Sequence, residues 1–256
     1  MSRGRQTAIG LGLAAALLAA WLATHVYGVF FYRWTPLGRV LALPYMLVEC
    51  WLGAGLFIVA HDAMHGSLAP GRPWLNRAVG RTCLGIYAAF PYDSLLPKHH
   101  AHHRHAGAEG DPDFHVAGPR RFWRWYMGFF REYFGWGQML IITLVFTVYW
   151  SVLRAPVWNC ILFWSIPSVL SSLQLFVFGT WLPHRHEDAP FADRHNARTL
   201  QYSWLVSLIT CFHFGYHHEH HLSPQTPWWA LPRRRRELSS RPVKPDPATV
   251  RGGAHA

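Results

Sequence analysis

Residues 40–65 read VLALPYMLVECWLGAGLFIVAHDAMH, and this stretch decides the fold. Residues 40–60 form an apolar run that is interrupted only by Pro44 and Glu49. A helix of about 20 apolar residues crosses the hydrocarbon core of a bilayer. His61 and His65 follow directly, and residues four apart lie on one face of a helix. The stretch therefore predicts a membrane-spanning helix that presents two imidazoles just beyond its apolar part.

The composition also indicates a membrane protein. Of the 256 residues, 51% are hydrophobic and only 14% are charged, whereas soluble domains carry about 25% charged residues. The formal net charge is +11, but the basic residues mostly flank apolar runs or gather in the tail, as in RRRRELSSR at 233–241. Such charges mark the cytoplasmic ends of spans and attract anionic lipid. We therefore expect contact with membrane lipid and no nucleic-acid binding.

Three further apolar runs complete the predicted fold. Residues 7–31 form a hairpin with the stretch quoted above, and residues 138–153 and 157–182 form a second hairpin. The apolar segment 79–91 is too short to cross, and the segment 120–137 mixes arginines with aromatic residues. Both segments suit helices that lie at the membrane interface. We predict an all-α membrane protein with about four spans in two transmembrane helical hairpins.

This topology brings the polar segments to one side of the membrane. Two hairpins return the chain to the side on which it began. With a cytoplasmic N-terminus, the histidine-rich parts at 61–135 and 183–232 then form a cytoplasmic cap, followed by a basic tail at 233–256. We expect one domain over residues 1–256, with its site at the cytoplasmic face.

Three histidine clusters lie just outside apolar segments. The sequences are HDAMH at 61–65, HHAHHRH at 99–105 and HHEHH at 217–221. Positions i, i+3 and i+4 share one face of a helix. This selects eight imidazoles: His61, His65, His99, His102, His103, His217, His220 and His221. Neutral imidazole is a common ligand of iron, zinc and copper. Eight ligands exceed what one metal takes, so we predict a site for two metals.

Few carboxylates accompany these histidines. Glu-x-x-His pairs, which build carboxylate-bridged sites in helical bundles, are not found. Histidine-rich ligation with open positions is compatible with redox iron, while zinc and copper remain alternatives. Four carboxylates could orient a ligand ring through its second nitrogen: Asp62, Asp111, Asp113 and Glu219. His213, four residues before His217, could be a ligand or a supporting residue.

Five long motifs resemble those of bacterial β-carotene ketolases, which belong to the membrane-bound fatty acid desaturase/hydroxylase superfamily. They are FIVAHDAMHGSLAPGRPWLN, HHAHHRHAG followed by GDPDF, LQLFVFGTWLPHRH, FADRHNAR and SLITCFHFGYHHEHHLSPQTPWWALP. The resemblance extends from about residue 40 to residue 232. These motifs are far more specific than the histidine spacing alone.

The resemblance implies an oxygen-dependent oxidation of ring carbon 4 of β-carotene. Two hydroxylations and a loss of water would give echinenone and then canthaxanthin. It also implies two non-haem iron ions, dioxygen as co-substrate and an electron donor such as ferredoxin. The location would be a bacterial inner membrane.

The same resemblance assigns the eight histidines above as iron ligands and adds a ninth at the end of the fourth span. His184 is preferred to His186 because it follows the helix directly. The carotenoid would enter from the bilayer beside aromatic side chains, each of which could equally serve ordinary packing. The candidates are Phe176, Phe178, Trp181, Phe212, Phe214 and Tyr216.

Two kinds of alternative remain at this stage. A carotenoid hydroxylase, a fatty acid desaturase or an alkyl hydroxylase of the same superfamily would share the histidine clusters. A histidine-rich membrane metal transporter would belong to a different class. It would carry ligands along its spans, which here are nearly free of histidine and carboxylate.

Overall fold

Helices make up most of the computed structural model, which describes residues 1–118, 120–187 and 189–240. In these ranges the only pairing of extended chain is the antiparallel bridge between Thr199 and Tyr216. The helices are α1 (Arg3–Phe31), α2 (Pro36–Met64), α3 (Pro73–Ala88), α4 (Tyr92–His105), α5 (Phe122–Tyr133), α6 (Trp136–Val152), α7 (Val157–His184), α8 (Trp204–Cys211), α9 (His217–Leu222) and α10 (Leu231–Ser239). Residues 241–256 of the predicted basic tail lie outside the described residues.

Three of the described helices, α1, α2 and α7, are long and apolar enough to cross a membrane. The predicted span at 138–153 corresponds to α6, which qualifies only together with α5 as one span broken by an 80° bend. The prediction of an all-α membrane protein with about four spans is therefore confirmed as three or four spans. The chain is an integral membrane protein.

Helix α2 lies at the centre and packs against α1, α3 and α7. The Thr35 side chain accepts a hydrogen bond from the Gly38 amide and caps its start, where Pro36 supplies the first residue. Its second half is largely buried, from Glu49 to Met64. At Gly55 a Cβ would lie 2.6 Å from the Phe212 ring, so only glycine lets this ring approach α2.

The turn after His65 fixes the histidine end of α2. Gly66 adopts a left-handed conformation, with φ +67°. The Asn76 side chain accepts a hydrogen bond from the Ala69 amide and donates one to the Ala69 carbonyl. These bonds tie the turn to α3, and α4 then runs back past the end of α2.

Candidate metal centre

Five histidines from three helices converge at the end of α2. Their ligand nitrogens all lie within 4.8 Å of one another. The members are His61 and His65 of α2, His99 and His103 of α4, and His220 of α9. The Nε2 atoms of His65 and His99 are 2.6 Å apart, and those of His103 and His220 are 3.0 Å apart. We call this set the first histidine group.

Four more histidines form a second group beside the first. They are His102 of α4, His184 at the end of α7, and His217 and His221 of α9. All four are buried, and their ligand nitrogens meet the same 4.8 Å limit. The two groups together contain the nine histidines that the sequence singled out.

Helices α4 and α9 each serve both groups. In α4 the pair His99 and His103 faces the first group, while His102 faces the second. In α9 the assignment is reversed, because His220 joins the first group and the pair at 217 and 221 joins the second. The shared direction expected from the spacing therefore holds for His61 and His65 but not for the clusters in α4 and α9. Adjacent helical residues differ by about 100° in direction, which is enough to serve two centres.

The chemistry of the nitrogens fits a bound cation. Burial, followed by repulsion from neighbouring imidazoles, holds the pKa of His65, His99 and His221 well below the usual value for histidine. These rings are therefore neutral and keep a lone pair for a metal. The Nε2 atoms of His61 and His184 are buried and have no hydrogen-bond partner among the described residues. A buried nitrogen without a hydrogen-bond partner is energetically unfavourable. A transition-metal ion bound by the imidazole nitrogens would supply the missing partner.

The predicted support from Asp111 and Asp113 has clear geometry. His102 donates through Nδ1 to the Asp111 carboxylate, at 3.0 and 3.1 Å. That carboxylate also accepts the amides of Gly107 and Asp113, each at 2.8 Å. The Asp113 carboxylate lies 3.6 Å from the same His102 nitrogen and accepts the Tyr133 hydroxyl. The acceptors fix which nitrogen of His102 faces the second group.

His184 is held by a group that the sequence analysis missed. Its Nδ1 donates to the Asn196 carbonyl at 2.7 Å. Asn196 lies in the motif FADRHNAR, but a backbone acceptor has no side-chain signature, so the motif does not reveal this role. His186 belongs to neither group and instead donates to the Gly107 carbonyl at 3.0 Å.

The other candidate supports lie away from the ligand rings. Asp62 accepts the Trp228 amide, and its nearer oxygen is 3.9 Å from Nδ1 of His61. Glu219 accepts the Thr199 hydroxyl at 2.6 Å, which ties α9 to the preceding loop. These two carboxylates hold the chain around the groups rather than the rings themselves.

His213 is outside both groups. Its ring stacks near Tyr216 and Trp228, and burial lowers its pKa to about 4. Although His213 precedes His217 by four residues, the two residues do not lie in one helix. Phe212 and His213 are both left-handed, with φ 47° and 64°, and they end α8 before α9 begins.

His100 and His218, which are not among the eight histidines selected by helical spacing, also lie outside the groups. His218 bonds Asp193 at 2.8 Å on the outer side of α9. His100 points to the Met64 carbonyl at 3.4 Å. These two rings therefore leave their helices in a different direction from the neighbouring histidines that belong to the groups.

An aromatic cavity adjoins both groups. It is walled by His61 and His99 of the first group, by His102 and His217 of the second, and by aromatic side chains from α2, α3, α5 and the segments between helices. The aromatic members are Phe57, Tyr87, Phe90, Phe129, Phe130, Tyr133, Phe134 and Phe214. A long apolar molecule could therefore lie beside the histidines.

Of the six predicted substrate-lining residues, Phe214 lines this cavity. Phe176 and Trp181 pack against α5, and Phe212 stacks on Trp51. Tyr216 stacks on His213, and the Phe178 ring lies 6.4 Å from that of Tyr202. The aromatic residues of α5 were missed because they were interpreted as an anchor at the membrane interface.

The chain was compared with known proteins. The fatty acid desaturase family model matches residues 34–145 and 131–250. Proteins named beta-carotene ketolase from two Paracoccus strains are 51% and 49% identical to the chain over 230 and 236 residues, covering 90% of this chain and 93% of each relative. A zeaxanthin 4-ketolase of Chlamydomonas reinhardtii is 36% identical over 242 residues, covering 88% of this chain and 53% of the relative. No solved structure matches the chain.

Proposed function

The chain belongs to the fatty acid desaturase family, and on this premise we propose that it is a membrane β-carotene ketolase. The observation that carries the proposal is the pair of histidine groups, one buried and one partly buried, beside an aromatic cavity. The names of the relatives at about half identity support the choice of ketolation within the family.

The proposed reaction oxidises ring carbon 4 of β-carotene to a ketone. Two successive hydroxylations at one carbon give a gem-diol, which loses water. Echinenone forms first, and canthaxanthin forms after the second ring has reacted. The allylic C–H bond is comparatively weak, but a closed-shell side chain cannot abstract its hydrogen atom. Bound non-haem iron would supply the activation of dioxygen that this chemistry requires.

Two iron ions are proposed, one for each histidine group. The first group would hold one ion through five imidazoles, and the second group would hold the other through four. The unpartnered Nε2 atoms of His61 and His184 support this assignment, because each group then gains a partner for a buried lone pair.

The protein's own groups would orient the ligands and the substrate. Asp111 and the Asn196 carbonyl accept the Nδ1 protons of His102 and His184, which leaves their Nε2 lone pairs directed into the second group. The aromatic wall would exclude water from the reacting ring and receive an all-hydrocarbon substrate from the bilayer.

The proposal also includes a location and partners. We place the histidine groups at the cytoplasmic face of a bacterial inner membrane, within one domain over residues 1–256. The arginines of α10, Arg233–Arg236, support this orientation because positive charge favours the cytoplasmic side. Dioxygen would be the co-substrate, and an electron donor such as ferredoxin would supply reductant.

A membrane metal transporter is disfavoured by where the histidines lie. Both groups gather at the ends of the described spans, whereas a permeation path would need ligands along them. The related hydroxylases and desaturases would share the groups, so the product must distinguish them from a ketolase.

Pigment analysis tests the proposal. The chain would be expressed in bacterial cells that accumulate β-carotene, and the carotenoids would be separated by chromatography. We expect echinenone and canthaxanthin. Unchanged β-carotene would contradict the proposal if the protein is present in the membrane and iron and reductant are supplied. A 3-hydroxylated product would instead indicate a carotenoid hydroxylase.

A further inference from the structure

A second cavity adjoins the first one within the membrane-spanning part. It lies between α1, α3, α6 and α7 and has a volume of about 400 Å³. The two cavities share walls, namely Tyr87, Phe90, Phe130, Phe134 and Ser172. A molecule that reaches the histidine groups through the first cavity would therefore have its remainder in the second.

The part of this second cavity that is farthest from the histidine groups lies among the membrane-spanning helices. Gly10 of α1 packs against the Leu68 carbonyl, three residues after His65. His25 lies fifteen residues further along the same helix, which corresponds to about 22 Å at 1.5 Å per residue. The pair at His25 therefore lies well away, along α1, from the level of the turn that follows His65.

A polar pair lines that far part. His25 is 3% exposed, and its Nε2 lies 3.4 Å from the Tyr149 hydroxyl. The imidazole stacks on Trp21 at 4.5 Å between ring centroids. Its Nδ1 is buried without a hydrogen-bond partner among the described residues. Leaving a buried polar atom unsatisfied in an apolar region is costly, so the pair is suited to a ligand that carries a polar atom.

We infer that His25 and Tyr149 bind an oxygen atom on the carotenoid ring that is not being oxidised. The inference rests on the proposed ketolase function and deepens it. An imidazole that accepts the Tyr149 hydroxyl proton at Nε2 carries its own proton on Nδ1 and can donate it, and a ring ketone or hydroxyl oxygen can accept that hydrogen bond. Both rings of β-carotene are hydrocarbon, so the pair distinguishes substrates that already carry an oxygen. These are echinenone, held by its finished end, and 3-hydroxylated carotenoids such as zeaxanthin.

The test uses His25→Phe and Tyr149→Phe, which keep an aromatic ring and remove the polar atom. Tyr45→Phe is the matched control, because the Tyr45 hydroxyl bonds the Thr24 carbonyl and does not line this cavity. Membranes holding equal amounts of each protein receive β-carotene, echinenone or zeaxanthin with reductant. Chromatography then gives the rate of ketolation for each substrate.

We expect the echinenone or zeaxanthin rate, divided by the β-carotene rate, to fall about threefold to tenfold in both variants, as for the loss of one hydrogen bond. The substrate that shows the fall identifies the recognised oxygen, and Tyr45→Phe keeps the original ratios. Unchanged ratios, or an equal loss of rate for all three substrates, would overturn the inference that His25 and Tyr149 bind this oxygen. If the unmodified chain ketolates none of the three substrates, the proposed function fails, and the inferred role of His25 and Tyr149 fails with it.

Discussion

At the scale of single residues, adjacent histidines differ because their rings leave the helix in different directions. His102 and His103 are neighbours in α4, yet one faces the second group and the other the first. His100 shares the helix, but its Nε2 faces the Met64 carbonyl and belongs to neither group. The position of a ring relative to the groups, rather than its presence in a cluster, should therefore decide the effect of losing it.

His65→Ala should reduce ketocarotenoid formation by more than about 100-fold, beyond the loss typical of outer-shell partners. His100→Ala should keep most of the activity, because its ring belongs to neither group. Carotenoid chromatography of cells with equal amounts of membrane-bound protein measures both. Equal losses in the two variants would contradict the assignment of rings to groups.

Asp111→Ala should weaken metal binding about 10- to 100-fold, because His102 loses the acceptor that orients it. The number of iron ions per protein molecule, measured by mass spectrometry on the purified membrane protein, reports the weakened metal binding. Asp93→Ala is the control, since Asp93 forms exposed ion pairs with Arg77 and Arg81. Full iron content in the Asp111 variant would show that the carboxylate is dispensable.

At the scale of elements, the contact between α2 and the segment after α8 holds the two histidine-bearing regions together. The Phe212 ring reaches α2 at Gly55 and stacks on Trp51, with ring centroids 4.3 Å apart. The left-handed backbone of Phe212 directs the chain from α8 toward α9. This contact thus sets how α9 approaches the end of α2.

Gly55→Ala should destabilise the protein by about 1–3 kcal/mol, because the new methyl group would overlap the Phe212 ring. Gly12→Ala is a helical control with nothing within 4 Å of the added atom, and it should leave stability equal or higher. Thermal unfolding in detergent compares the two. A Gly55→Ala midpoint equal to that of the unmodified protein would mean that Phe212 moves aside freely.

At the scale of the whole molecule, the spans hold two adjoining apolar cavities next to the end that carries the histidine groups. The two adjoining cavities meet at Tyr87 and Ser172, where α3 and α7 face each other. The histidine groups are built from the ends of α2 and α7 together with α4 and α9. Helix α7 therefore contributes to both the second cavity and the second histidine group, through different parts of its length.

Ser172→Phe should block the junction of the cavities and lower β-carotene ketolation by more than about tenfold, because small misplacements of substrate have large effects on rate. Iron content should stay the same, since Ser172 touches neither group. Ser151→Phe adds the same bulk at an exposed position of α6 and should leave the rate unchanged. An unimpaired Ser172 variant would exclude this route for the substrate.

Sequence patterns identified the apolar runs that form the spans and eight of the nine histidines that meet. Apolar runs of membrane length and the spacing i, i+3, i+4 are local patterns, so each can be identified without knowing what packs against it. The family resemblance supplied His184, whose place at the end of α7 follows from the length of that helix.

Only the tertiary structure decided how those histidines divide between two groups and what surrounds them. The division depends on the angles at which α4 and α9 pass the end of α2, and no local pattern encodes such angles. The Asn196 carbonyl behind His184 and the α5 aromatic residues in the cavity wall come from distant segments. Their contribution arises from long-range packing, which brings together groups that carry no signal in the sequence.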